Sequence, residues 1–251
     1  GASANIGSEF VARAPADGYT ILVTAPNFTT SEALYDKLTW RFDDFIPLIH
    51  LVRYANVLVA APDSKMATLP EMVSRAKAAP GLMTYGSAGT GSNSHLAMEL
   101  LKQRVAITPE HVPYKGSGPG MQDVLAGVCQ VIFDGAAKPH IDAGKVNFLG
   151  TTSSVRDPRY PDVPTLSEAG LPGYDLTYWV GIFAPKGLPA DIQARLNASV
   201  KTALADPDVQ RRLNGMGMSL VGSTPDQMVQ EIRTETAKLR QIAASIPGGV
   251  N

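Results

Sequence analysis

The sequence is poor in the residues on which most enzyme chemistry is built. Its 251 residues include one cysteine, Cys129, and four histidines. A single cysteine excludes an internal disulfide, and with it the small secreted scaffold held by bridges, though not a larger secreted protein without them. Cys129 lies in an apolar stretch (VCQVIF) and is expected to be a small buried side chain. Charged residues make up only 18% and aromatics 7% of the chain. Lys and Arg number 22 against 23 Asp and Glu, a net charge of -1, with no basic cluster to neutralise a nucleic-acid backbone. The few aromatics leave little material for stacking bases or sugars. No apolar run approaches the ~18 residues of a membrane span. The longest, such as residues 57–61 (VLVAA), are strand-sized. The start, GASANIGSEF, has no basic segment followed by an apolar one, so no signal peptide is visible.

Catalytic motifs are missing too. There is no Gly-x-Ser-x-Gly turn to expose a nucleophilic serine and no GxxxxGK[ST] phosphate loop. Zinc needs three or four closely spaced ligands. His50, His95, His111 and His140 are scattered along the chain, so each is expected to be structural. Asp43 and Asp44, after Trp40, read as solvated turn or capping residues.

What is present is an alternation of strand and helix patterns in a chain that is 44% hydrophobic, enough for one sizeable core or two small ones. Short runs at 19–23 (YTILV), 57–61, 83–85, 111–114, 130–133, 146–149 and 179–184 (WVGIFA) read as strands, often bounded by Gly, Pro, Asn or Asp. Residues 69–79 read as a helix, with Thr68 as N-cap and Pro70 in the first turn, as do 94–102 and 120–125. This alternation predicts α/β layers with mainly parallel sheets. The last third is mostly helical, at 191–204, 208–213 and 225–244, the last with Thr224 and Gln227 as a capping box; residues 219–221 fit one more strand.

Four polar segments follow strands. The richest is YGSAGTGSNSH, residues 85–95, which also opens a helix. Gly86, Gly89 and Gly91 allow close approach of the backbone; Ser87, Thr90, Ser92, Asn93 and Ser94 offer hydroxyls and an amide. The helix start adds unpaired N–H groups and the positive end of its dipole, so the segment suits an anion, phosphate or carboxylate. A dinucleotide reading finds Gly89-x-Gly91-x-x-Ser94 with Glu110 beyond, two of three fingerprint glycines, on a unit that is not the first strand of the chain. The other segments are VPYKGSGPG with Tyr114 and Lys115, TAPNFTT at 24–30, and Phe133-Asp134-Gly135. Ligands of open α/β sheets lie beyond the carboxyl ends of strands, so these loops are candidates for one site. No acid–base pair or nucleophile stands out among them, which favours binding over catalysis. The alternatives are a nucleotide-dependent oxidoreductase on the same frame, or a receptor fragment without ligand.

In these segments the chain resembles the Bug (TctC-like) receptors of tripartite tricarboxylate transporters. GASANIGSEFVARAPADGYTILV, YGSAGTGSNSHLAMELL, HVPYKGSGPGMQDVLAG, VIFDG, DVPTLSEAGLPGYD and GIFAPKGLP follow in that family's order and spacing, over nearly the whole length. The resemblance implies a type II periplasmic-binding-protein fold, two α/β lobes joined by two crossing strands. Residues 1–59 with 180–251 would form lobe one, and 60–179 lobe two. It also implies a non-enzymatic receptor in the periplasm of a Gram-negative bacterium, without cofactor or metal. Such a receptor closes on a small carboxylate and presents it to a membrane permease. Family members begin with a strand, a PGG loop, a helix and a second strand ahead of the segment found here, so lobe one is expected to be incomplete. For contacts, the resemblance implies Ser87, Ala88, Gly89, Thr90 and Ser92 in the lobe-two loop. It implies Thr24, Ala25 and Asn27 in lobe one, with Asp134 and Tyr114 nearby.

Overall fold

The computed structural model describes residues 5–26, 28, 29, 31 and 37–244. In chain order these form α1 (Asn5–Ala12), β1 (Leu22–Thr24), β2 (Phe45–Ala55), β3 (Val57–Ala60), α2 (Leu69–Ala78), β4 (Thr84–Ser87), α3 (Asn93–Val105), β5 (Glu110–Pro113), α4 (Ser117–Leu125) and β6 (Val131–Asp134). There follow α5 (Lys138–Asp142), β7 (Asn147–Thr151), β8 (Thr177–Pro185), α6 (Ala190–Ala205), α7 (Pro207–Gly215), β9 (Met218–Leu220) and α8 (Pro225–Ala244). The helix starts follow the capping chemistry of the sequence. Thr68 accepts the Glu71 N–H, and the Glu71 carboxylate takes the Thr68 and Ala67 N–H groups in return. Thr224 and Gln227 exchange the same pair of bonds at the start of α8.

The strands form two sheets, in the orders β1-β8-β2-β9 and β5-β4-β6-β3-β7. Contacts divide the chain into two compact units. One runs to Arg53 and resumes at Tyr178, and the other is Tyr54–Thr177.

Three expectations need correction. The sheets are not mainly parallel: β4 runs parallel to β5 and β6, but β3 is antiparallel to β6 and β7, and β1 to β8. The sequence pattern locates strands without their direction. The strand expected at 19–23 is shortened to Leu22–Thr24. The Asp17 side chain accepts the Tyr19 N–H at 3.0 Å, and Gly18 has φ +87, so these residues turn and leave Tyr19 exposed. The longest strand, β2, was not anticipated, because Pro47, His50 and Arg53 break its apolar run. His50 is nonetheless buried, with Nδ1 2.5 Å from Glu231, which also meets Arg53 at 3.2 Å. Asp44 closes a 3-10 turn by accepting the Arg41 N–H at 2.7 Å.

The first unit packs around Phe28. Its ring stacks on Trp40 at 4.7 Å and meets Phe45 edge-on at 5.0 Å and Phe183 at 5.0 Å. The second unit packs around β3 and β6, in which every residue is buried, as expected for strands covered on both faces. Leu58 and Phe133 are wholly inaccessible, and each such side chain is worth about 1.5–3 kcal/mol of burial. Cys129 joins this core with Val124 and Ile132, as a small apolar side chain should.

Gly181, on β8, is where the first core is tightest. A Cβ there would lie 2.1 Å from Cε of the buried Met228 and 3.3 Å from the Ile49 carbonyl. Gly181→Ala is expected to lower stability by about 1–3 kcal/mol in urea unfolding. Adding Met228→Ala should recover less than the whole loss, since the Ile49 carbonyl does not move with the side chain.

Candidate ligand-binding site

The register of the second sheet brings most of the expected contacts to one end. Ser87, the last residue of β4, pairs with Pro113 at the end of β5, and Tyr114 N–H then donates to the Ser87 carbonyl at 3.0 Å. On the other side β4 lies parallel to β6, whose last residue is Asp134. Because β3 is antiparallel, its start, Val57, stands opposite Asp134 and opposite Thr151 at the end of β7. The loops after β4, β5 and β6 therefore share an edge with the chain entering β3.

At this edge residues 87–92 form a tight turn that uses much of its own hydrogen-bonding capacity. Ala88 N–H donates to Ser94 Oγ at 2.9 Å, Gly89 N–H to Ser87 Oγ at 3.1 Å, and Gly91 N–H to His95 Nδ1 at 3.0 Å. Ser92 N–H closes the turn on the Gly89 carbonyl at 3.1 Å, and Ser92 Oγ caps α3 by accepting the His95 N–H. Gly89 and Gly91 have φ of +122 and +74, a region that L side chains rarely enter. The open anion nest anticipated from the sequence is thus partly filled from within. What the turn turns outward is Thr90, which is exposed and makes no hydrogen bond among the described residues. Ala88, Gly89 and Ser92 are half-buried, and Ser87 is fully buried.

Behind the turn stands a polar network inside the unit. Residues 94–101 of α3 are all buried, Glu99 among them. Glu99 Oε1 accepts from Tyr85 Oη and Lys102 Nζ, both at 2.6 Å, and lies 3.6 Å from His95 Nε2. Burial would raise this carboxyl, but those partners outweigh it and hold its pKa below the ordinary value. His95 stacks on His111 at 4.1 Å and 5°, and the Tyr85 ring lies nearly parallel to His111 at 4.7 Å. His111 Nε2 and Ser87 Oγ are 2.6 Å apart. Burial and the neighbouring His95 push the His111 imidazole down to about 4, and burial also lowers His95.

The remaining expected residues are placed as follows. Asp134 is buried, accepts the Ala136 N–H at 2.8 Å and is raised by burial. The Tyr114 ring packs on Gly86 and Gly120, where added Cβ atoms would come within 3.2 and 3.0 Å of it. Its hydroxyl is committed to Asp123 Oδ2 at 2.6 Å. Thr24 ends β1 in the other unit, and Ala25 follows it. Thr24 Oγ1 is buried without a hydrogen-bond partner, a state that costs about 1–3 kcal/mol unless something fills it. Asn27 lies outside the described residues. Sequence reasoning missed Tyr54, whose hydroxyl accepts from Asn93 Nδ2 at 3.1 Å and whose ring would lie 3.2 Å from a Cβ at Gly135. It sits inside β2, a strand with no clear sequence signal.

This arrangement can hold an anion or a hydroxyl-bearing solute with hydroxyls and backbone groups. Among the described residues no group of three metal-ligating side chains exists. Ser87 and His111 have the spacing of a nucleophile and its base, but a serine with no accessible surface cannot meet a substrate. Among the described residues no helix is long and apolar enough to cross a membrane.

Comparison with known proteins gives a consistent result. The tripartite tricarboxylate transporter family receptor, TctC, matches residues 1–247. A UPF0065 protein from the tcbD-tcbE intergenic region of Pseudomonas sp. (strain P51) is 36% identical over 246 residues, 96% of this chain and 73% of that protein. Rpa4515 of R. palustris, solved with adipate, superimposes with a TM-score of 0.92 at 32% identity, covering 97% of this chain and 83% of that one. MatC from Rhodopseudomonas palustris, solved with bound malate, gives a TM-score of 0.86 at 33% identity, covering 96% and 85%. The chain belongs to the TctC family of tripartite tricarboxylate transporter receptors, with the α/β fold of its periplasmic binding proteins.

Proposed function

We propose that this receptor captures a small carboxylate in the periplasm and presents it to the permease of a tripartite transporter, without catalysing a reaction. The observation that carries the reading is the edge of the second sheet, where residues 87–92 expose Thr90, Asn93 bonds the Tyr54 hydroxyl, and Asp134 ends β6. Relatives solved with adipate and with malate support a carboxylate as the solute. The solute would dock against the turn of residues 87–92, on Ala88, Gly89, Thr90 and Ser92, with Ser87 shaping the turn from within. Thr24, Ala25 and Asn27 would serve as contacts from lobe one, and Asp134 and Tyr114 would line the site. In this reading residues 1–59 with 180–251 would be lobe one and 60–179 lobe two, and their closure on the solute would be the signal for the permease. A ligand biases such a closure by its better contacts in the closed form.

A thermal-shift screen of dicarboxylates tests the proposal. An acid at 100 times its dissociation constant should add about 2.7 kcal/mol to stability, and NAD should add nothing. Stabilisation by NAD alone would replace the receptor by the oxidoreductase reading.

Thr90 and Ser87 should separate in titration calorimetry of the best acid from that screen. Thr90→Ala removes an exposed hydroxyl, and is expected to weaken binding by about 1 kcal/mol while leaving the melting temperature unchanged. Ser87→Ala removes the partner of the Gly89 N–H and of His111, so affinity and melting temperature should fall together.

A further inference from the structure

The two imidazoles behind the turn have no part in the contacts assigned so far. We propose that His95 and His111 are the positioning residues of the solute loop, a face-to-face pair of neutral rings that grip its two ends and set where its outward donors point. This rests on reading residues 87–92 as the solute contact.

The grip is specific in its protonation. His95 Nδ1 accepts the Gly91 N–H at 3.0 Å and therefore carries no proton. The ring proton of neutral His95 then sits on Nε2, facing the Glu99 carboxylate at 3.6 Å. At the other end of the loop, His111 Nε2 and Ser87 Oγ share a proton across 2.6 Å, and the same Oγ accepts the Gly89 N–H. The rings are stacked at 4.1 Å, so a shift of one is a shift of the other. Gly89 and Gly91 fall at the turn's two positive φ angles, and both donate to this assembly, directly or through Ser87. Without His95 the Gly91 amide would be released, and without His111 the Ser87 hydroxyl that holds the Gly89 amide would lose its own partner, so Thr90 between them would lose its fixed direction.

The surroundings keep the pair uncharged. The titratable groups facing it are Tyr85 on β4, Glu99 and Lys102 on α3, and each ring for the other. Lys102 and Tyr85 both bond the Glu99 oxygen nearest His95, which spends its charge before it reaches the ring. Protonating His95 would place a proton on Nδ1 and expel the Gly91 N–H. Both imidazoles titrate lower in the folded chain than in the unfolded one, so the unfolded state binds more protons as pH falls below about 6.5. Stability from the pair is complete above that pH and declines down to about 4, where folded His111 titrates.

The test compares His95→Asn, whose side-chain oxygen can take the place of Nδ1, with His95→Leu, which fills the space and accepts nothing. Two measurements are made on the whole chain at pH 7.5: hydrogen-exchange protection of the Gly91 amide, and affinity for adipate and for malate. Nitrogen chemical shifts of labelled His95 in the unaltered protein give its tautomer. The expected results are an unprotonated Nδ1, loss of Gly91 protection in His95→Leu with retention in His95→Asn, and affinity at least tenfold weaker in His95→Leu than in His95→Asn. A protonated Nδ1 would overturn the proposal, as would equal Gly91 protection in the two variants. Should the unaltered protein bind neither acid, the fault lies with those solutes, and the tautomer and the Gly91 amide still decide the positioning. Should His95→Leu fail to fold, the tautomer together with Gly91 protection in His95→Asn decides it.

Discussion

A carboxylate with 4% of its surface exposed has to be paired, and Glu99 is paired by residues that reach the rest of the unit. Tyr85 brings in β4, Lys102 reaches back from the third turn of α3, and His95 carries the constraint forward to the loop. Leaving one such partner out would strand a buried charge, which costs several kcal/mol. The polar network is therefore as much a part of the fold as the apolar packing of Leu96, Leu100 and Leu101 beside it. It also accounts for the burial of the helix behind the candidate loop through residues 94–101 instead of along one face.

From that anchor the loop acquires its shape, and the shape decides its chemistry. A turn that satisfied all its amides internally would have nothing to offer a solute; one that satisfied none would have no fixed form. Here three of the amides between Ala88 and Gly91 are held by side chains of the same unit, and Thr90 is left outward. Such preorganised neutral donors suit reversible capture, since they cost little to desolvate and release the solute readily. Among the described residues the Ser87–His111 pair is spent on holding the loop, and its serine oxygen is buried.

The loop itself was legible because strand, glycine, hydroxyl and helix start follow one another within residues 85–95, and each of those signals is local. Capping residues Thr68 and Thr224 were legible for the same reason. The stacked imidazoles were not. His95 and His111 are brought together by the pairing of β4 with β5, in which Tyr85 stands opposite His111, and no local pattern carries that register. Read singly, each histidine looks structural; only their partners show what the structure uses them for. The only local hint was His95 four residues before Glu99 on one helix face. The direction of β3 and the existence of β2 were hidden likewise: direction is a tertiary property, and β2 carries His50, Pro47 and Arg53 where a strand pattern expects apolar residues. Tyr114 stands at its strand end, as its place in the sequence suggested, but the commitment of its hydroxyl to Asp123 carries no local signal.

The central claim is that the end of the second sheet is where a carboxylate is held. Mapping amide chemical-shift changes along an adipate or malate titration of the labelled protein tests it most directly. The account predicts saturable changes centred on residues 87–93 and 134–136, with the buried strand β3 unaffected. Changes centred elsewhere in the chain, or a response of residues 87–93 to NAD and to neither acid, would contradict it.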